Sequence, residues 1–219
     1  DGSLGETITP GDDTGPRHDM QGAVIINREA YASKDYSSLQ VGGYDFITFI
    51  HELGHAVGLK HPHDNGGGVF PAFPRVNAPF DQLGRFQLNQ GINTMMSYND
   101  GWVTGPKGPQ DSSQHPASGW QTLMALDIAA LQDLYGANMT TASGDDTYVL
   151  PSANTAGSYF SGIWDAGGID TILARGSRSA TIDLREATLN VAKNGGGFVS
   201  YQQGVLGGFT IASGAVIEN

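Results

Sequence analysis

At 219 residues, 39% of them hydrophobic and 15% charged, the chain can bury a sizeable core and is too apolar for a disordered segment. Its formal net charge of −11 argues against a nucleic-acid partner and suits hard cations held by carboxylates and main-chain oxygens. With no Cys, disulfides and thiolate metal sites are excluded, so any zinc falls to His and carboxylate ligands; no apolar run reaches membrane-spanning length.

Residues 1–22 are rich in Gly, Asp and Pro and read as loop. Ala23-Val24-Ile25-Ile26, a β-branched run, is the one strand candidate that follows them. Tyr44 to Leu59 is the clearest helix, with Asp45 placed to cap it. Phe46, Phe49, Ile50, Leu53 and Val57 recur there at helical spacing and predict a buried stripe. From His61 to Gln121, Gly, Pro and Asn punctuate the chain and predict loop. Thr122 to Tyr135 reads as a second helix, with Met124, Ile128, Leu131 and Tyr135 on one side and Gly136 as its stop. Beyond Asn138, short β-rich runs (Thr147–Leu150, Ala180–Leu184, Phe198–Tyr201, Phe209–Ile211) alternate with Gly and Asn turns. The expectation is an α+β chain in two parts, a helix-bearing 1–138 and an all-β 139–219.

The first helix carries His51-Glu52-Leu53-Gly54-His55-Ala56-Val57-Gly58-Leu59-Lys60-His61. Positions four apart share a helix face, so His51 and His55 can present two imidazoles to one metal. Glu52 lies beside them, where a carboxylate can take a proton from water on that metal. Gly58 can end the helix in a conformation other residues resist and turn the chain so that His61 becomes a third ligand. Three nitrogen ligands with an open fourth position describe a catalytic zinc site, not a closed structural one. His63 and Asp64 follow closely enough to hold a further cation.

The extended motif, with Thr94-Met95-Met96-Ser97-Tyr98 downstream, resembles the metzincin pattern of zinc helix and Met-turn. His61-Pro62, the stretch from Asp127 to Asn138 and Trp164-Asp165-Ala166-Gly167-Gly168-Ile169-Asp170-Thr171 make the chain similar to the serralysin family of secreted bacterial metalloproteases. The resemblance runs from about residue 23 to the end. It implies one zinc on His51, His55 and His61, Glu52 as general base, and Met96 as an apolar floor. It also implies that Tyr98 ligates the resting metal and stabilises the oxyanion. For residues 139–219 it implies the start of a calcium-binding β-roll or β-sandwich domain. One ion would sit between Ala142, Gly144, Asp146 and Asp165, Gly167, Asp170. A neighbouring ion would use Gly168, Asp170, Val216 and Glu218, giving two or more structural calcium ions. An extracellular endopeptidase acting on proteins follows, with neither nucleic acid nor membrane as partner.

Two departures qualify that picture. The residues ahead of Tyr44 supply only one evident strand, so the edge strand that aligns an extended peptide is expected to be absent. The family's Gly-rich calcium repeats are also absent, and the chain reads as a middle piece of a longer protein. A complementary N-terminal fragment would then complete the domain. The alternative is a metal-binding fragment or degenerate homologue that keeps the ligands without cleaving.

Overall fold

The computed structural model describes residues 4–11, 16–31, 37–64, 73–106 and 118–219. Strand β2, Val24–Ile26, forms where the β-branched run predicts it. It pairs antiparallel with β1, Gly5–Thr7, in the register Gly5 to Ile26 and Thr7 to Val24. This corrects the reading of residues 1–22 as loop and of a single strand ahead of the zinc helix. Gly5-Glu6-Thr7 is too short for alternation to register, and its strand conformation comes from a partner seventeen or more residues away in sequence. Both strands lie against the long helix. A short helix α1, Arg28–Tyr31, follows β2.

Helix α2, Tyr44–Ala56, starts from an extended Gly43, without a side-chain cap. Asp45 is not that cap. It sits one residue inside the first turn, 1% exposed, and accepts a hydrogen bond from the Ser38 hydroxyl. The face turned inward carries Ile47, His51, Glu52, Gly54 and His55. The predicted apolar stripe is therefore only partly buried, with Leu53 54% and Val57 39% exposed. Periodicity located an apolar face, while the packing of β1 and the Met-turn decided that the motif-bearing face goes in.

Helix α3, Ala125–Tyr135, begins three residues later than expected because the Asp127 carboxylate accepts the Met124 amide at 2.9 Å and fixes the start there. Met124 and Ile128 are buried as predicted, but Tyr135 is 69% exposed and donates its hydroxyl to the Val57 carbonyl at 2.9 Å. Between α2 and α3 the described chain is irregular, as its Gly, Pro and Asn content implies, apart from one 3-10 turn at Arg85–Gln87.

After α3 come β3 (Thr147–Val149), β4 (Phe160–Ile163), β5 (Thr171–Leu173), β6 (Ala180–Thr181), β7 (Ser200–Gln202) and β8 (Gly208–Ile211). β3 and β5 pair in parallel; β4, β8, β7 and β6 form a four-stranded mixed sheet in that order. β4 and β5 were not anticipated, and β6 is shorter than the Ala180–Leu184 run. Leu150, Ile163, Ile172, Ile211, Ala215 and Ile217 make the core of this part. Phe160 packs with Ile92 and Met124, and the Thr122 amide donates to the Phe160 carbonyl at 2.9 Å. Chain from both sides of residue 138 thus shares one apolar cluster. The chain as a whole is mixed α and β, with helices up to Tyr135 and only strands among the regular elements after it.

Candidate metal centre

The turn after α2 brings the third histidine back onto the first two. Gly58 takes φ +98°, a left-handed conformation that suits glycine, and the Leu59 amide returns to the Gly54 carbonyl at 2.9 Å. His61 Nε2 then lies 3.0 Å from His51 Nε2 and 3.0 Å from His55 Nε2. Each opposite ring nitrogen is already engaged. His51 Nδ1 meets the Met95 carbonyl at 3.0 Å, His55 Nδ1 the Leu59 carbonyl at 2.8 Å, and His61 Nδ1 the Asp64 carboxylate at 2.8 Å. These partners only accept, so each Nδ1 carries the proton and the three Nε2 lone pairs face one another. Such a donor set repels itself unless a cation sits between its members. Zinc–nitrogen bonds of about 2.0–2.1 Å put tetrahedral ligand nitrogens roughly 3.3 Å apart, close to what is found here. Burial lowers His51 to about 4 and His61 to about 4, reinforced by the neighbouring imidazoles, which keeps both neutral and able to ligate. These residues fit zinc.

The turn at residues 94–98 packs against α2. Met95 and Met96 are buried with Ile47 and Leu59. Gly54 permits this, because a Cβ there would come within 2.7 Å of Met95 Cε and of Met96 Sδ. The turn is held by Asp127, which accepts hydrogen bonds from Thr94 Oγ1 at 2.6 Å and from the Met95 amide at 2.8 Å. Burial pushes the Asp127 carboxyl up to about 6 against these three donors, the Met124 amide included. An acidic residue in the first turn of a helix was the only local hint of this tether.

Glu52 is buried beside the histidines, and Thr7 of β1 donates its hydroxyl to Glu52 Oε2 at 2.6 Å. Sequence reasoning missed Thr7, which lies in the strand it missed. The Tyr98 ring, 38% exposed, stands 4.8 Å from the His61 ring and 5.4 Å from that of His51. Burial raises its phenol, with the Glu52 charge adding to the effect, so the hydroxyl keeps its proton. His63 stacks on His61 at 4.7 Å and lies beside Asp64, but both His61 nitrogens are already engaged, so His61 is not free to serve a second cation here. Two pockets flank Glu52 and Tyr98, one of about 340 Å³ and one of about 270 Å³. β1 runs past both, contributing Gly5 to the first and Glu6 and Thr7 to the second.

No family model matches the chain. Among curated proteins it is similar to serralysin of Proteus mirabilis, 33% identical over 76% of this chain and 33% of that protein. It is also similar to serralysin C of Dickeya chrysanthemi, 36% identical over 80% of this chain and 34% of the relative. Metallopeptidase AprA of Pseudomonas marginalis is 30% identical over 100% of this chain and 43% of the relative. The chain belongs to the serralysin family. It spans between 33% and 43% of the length of these serralysin-family relatives. No described helix is long and apolar enough to cross a membrane.

In this serralysin-family chain the acidic residues singled out beyond 138 also converge. Asp146, Asp165 and Asp170 bring carboxylate oxygens within 4.8 Å of one another. The Asp146 amide donates to Asp170 Oδ1 at 2.7 Å, and the Asp170 amide donates to Glu218 Oε2 at 2.8 Å. Asp170 is fully buried, and its Oδ2 has no hydrogen-bond donor among the described residues. Ala142, with φ +46°, and Gly144 lie on the segment that runs beside Asp165 to Gly168; the Ala166 amide donates to the Thr141 carbonyl at 3.1 Å. Gly168 lies directly against the Gly144 carbonyl, and Gly167 donates its amide to Asp165 Oδ1 at 3.0 Å. Val216 is exposed two residues before Glu218. Tyr148, which the sequence did not flag, donates to Asp165 Oδ2 at 2.5 Å. Buried carboxylates clustered with main-chain oxygens suit a hard cation.

Proposed function

We propose that the chain is the zinc-binding part of a secreted metalloendopeptidase that hydrolyses peptide bonds in proteins. The observation that carries this reading is the convergence of three Nε2 lone pairs beside a buried Glu52 and a protonated Tyr98. When bound, zinc supplies Lewis-acid polarisation of a carbonyl and acidifies a water. Glu52, held by the Thr7 hydroxyl, takes the proton of the attacking water and passes it to the leaving amine as the C–N bond breaks. The Tyr98 phenol donates a hydrogen bond to the oxygen on which charge develops. β1 has β2 as its only strand partner among the described residues, and its other edge suits an extended peptide. That strand weighs against the degenerate-homologue alternative, which rested on its absence. The reading takes residues 1–138 as a metzincin-type catalytic unit and 139–219 as the start of a β-roll that two or more calcium ions stiffen through the carboxylates described above. Protein and peptide substrates are the partners implied. The exposed Leu53 and Val57 offer a face for a complementary segment of the same protein.

Hydrolysis of unfolded casein, with and without a zinc chelator, beside Glu52→Ala, tests the reading. The variant should keep one zinc per chain and lose about 10²–10⁴-fold in turnover. Chelator-insensitive cleavage, or normal turnover by the variant, would refute it.

A further inference from the structure

The two pockets beside Glu52 differ in charge. In the smaller, the charges other than Glu52 offset one another: Lys60 stands against Asp64, and Glu6 is paired with Arg17 at 3.2 Å. The larger has apolar walls from Tyr44, Ile47, Phe80 and Tyr98, and among the described residues its only charged side chains are Glu52 and Asp100. No Lys or Arg among the described residues lines it. Asp100 is held in place through Oδ1, which accepts from Gln121 Nε2 at 2.9 Å, while the buried Gln121 accepts the Gly101 amide at 2.6 Å through its own oxygen. Asp100 lines the pocket, partly buried, and its Oδ2 takes no hydrogen bond from the described residues. At about 340 Å³ the space admits a long side chain.

Resting on the peptidase reading, we propose that this pocket receives a Lys or Arg side chain from one of the two residues flanking the scissile bond, its stem along the aromatic walls and its charge on Asp100. The physical basis is the amphipathic character of these side chains. Their methylene stems pack on apolar surface while the cationic head seeks a fixed carboxylate. An acidic side chain entering the same pocket meets Asp100 and is rejected by like charge.

The test is a fluorogenic peptide set that varies one flanking position at a time among Lys, norleucine and Glu, assayed with the zinc-loaded chain. At the position that enters the pocket, kcat/KM should favour Lys over norleucine by about tenfold and disfavour Glu, the scale of one partly desolvated charge contact. Asp100→Asn keeps the hydrogen bond to Gln121 and removes the charge, so the Lys-to-norleucine ratio should collapse toward unity. Added salt should erode that ratio in the unmodified protein. Equal turnover of all three residues at both positions would overturn the inference and leave the peptidase reading standing. If no peptide is cleaved, the peptidase reading fails. The inference is then decided by fluorescence anisotropy of the same peptides on the zinc-loaded chain. Unequal, Asp100-dependent affinity retains the pocket, and equal affinity removes it.

Discussion

Removing the Asp127 carboxylate tests whether the turn at residues 94–98 is held from α3. Asp127→Ala would strand the Met95 amide, the Met124 amide and the Thr94 hydroxyl, all at buried positions. A stranded buried donor costs about 1–3 kcal/mol, and the hydroxyl can rotate, so the two amides dominate. Against this, the variant no longer desolvates a carboxylate. The net loss is about 2–4 kcal/mol, or roughly 4–15 °C in Tm for a domain of this size. Asp127→Asn separates shape from charge. Its oxygen can accept both amides, and its NH₂ can donate to Thr94 Oγ1. The Asp127 pKa is raised from an ordinary value near 3.8 to about 6, so the favourable, protonated form is fully present at low pH. That contribution is lost as pH rises from about 4 through 6, amounting to about 3 kcal/mol for two pH units at 1.36 kcal/mol each. Asp127→Asn has no such slope. Its Tm advantage over the unmodified chain should therefore shrink as pH falls from about 6 to about 4. Thermal unfolding by circular dichroism at fixed zinc and calcium, across that window, is the assay. A Tm for Asp127→Ala equal to that of the unmodified chain would refute the tether. A pH-independent gap for Asp127→Asn would refute the burial-driven shift.

Asp64→Ala removes the carboxylate that fixes the His61 tautomer, and zinc affinity should fall by about 10–100-fold in a chelator competition. Unchanged affinity would mean that the turn alone orients His61. The metal-free chain should lose stability as pH falls from about 6.5 to about 4, because unfolded histidines take up protons that buried His51 and His61 resist. Denaturant titrations of the metal-free chain showing no decline over that window would refute this. Calcium chelation should lower the Tm, and Asp170→Asn should reduce that calcium-dependent increment by weakening the cluster with Asp146, Asp165 and Glu218. A Tm indifferent to calcium in both proteins would count against the site.

The zinc ligands are legible in the sequence because the rules that place them are local. Two histidines four apart share a helix face, and a glycine three residues later turns the chain in a conformation that suits it. Thr7 and Asp127 obey no such rule. Thr7 reaches Glu52 across 45 positions, and Asp127 reaches Met95 across 32, so each role exists only once the chain has folded. The misread face of α2 has the same origin. Apolar periodicity marks Leu53 and Val57, yet the side that goes inward carries two histidines, a glutamate and a glycine. Burying polar side chains is costly unless each has a partner. Here the partners are the Met95 and Leu59 carbonyls and the Thr7 hydroxyl, none of which lies on the helix itself. A polar stripe on a helix therefore reads as surface until the segments that satisfy it are known. The spacing of His51, Glu52 and His55 is what marks this one as a site instead.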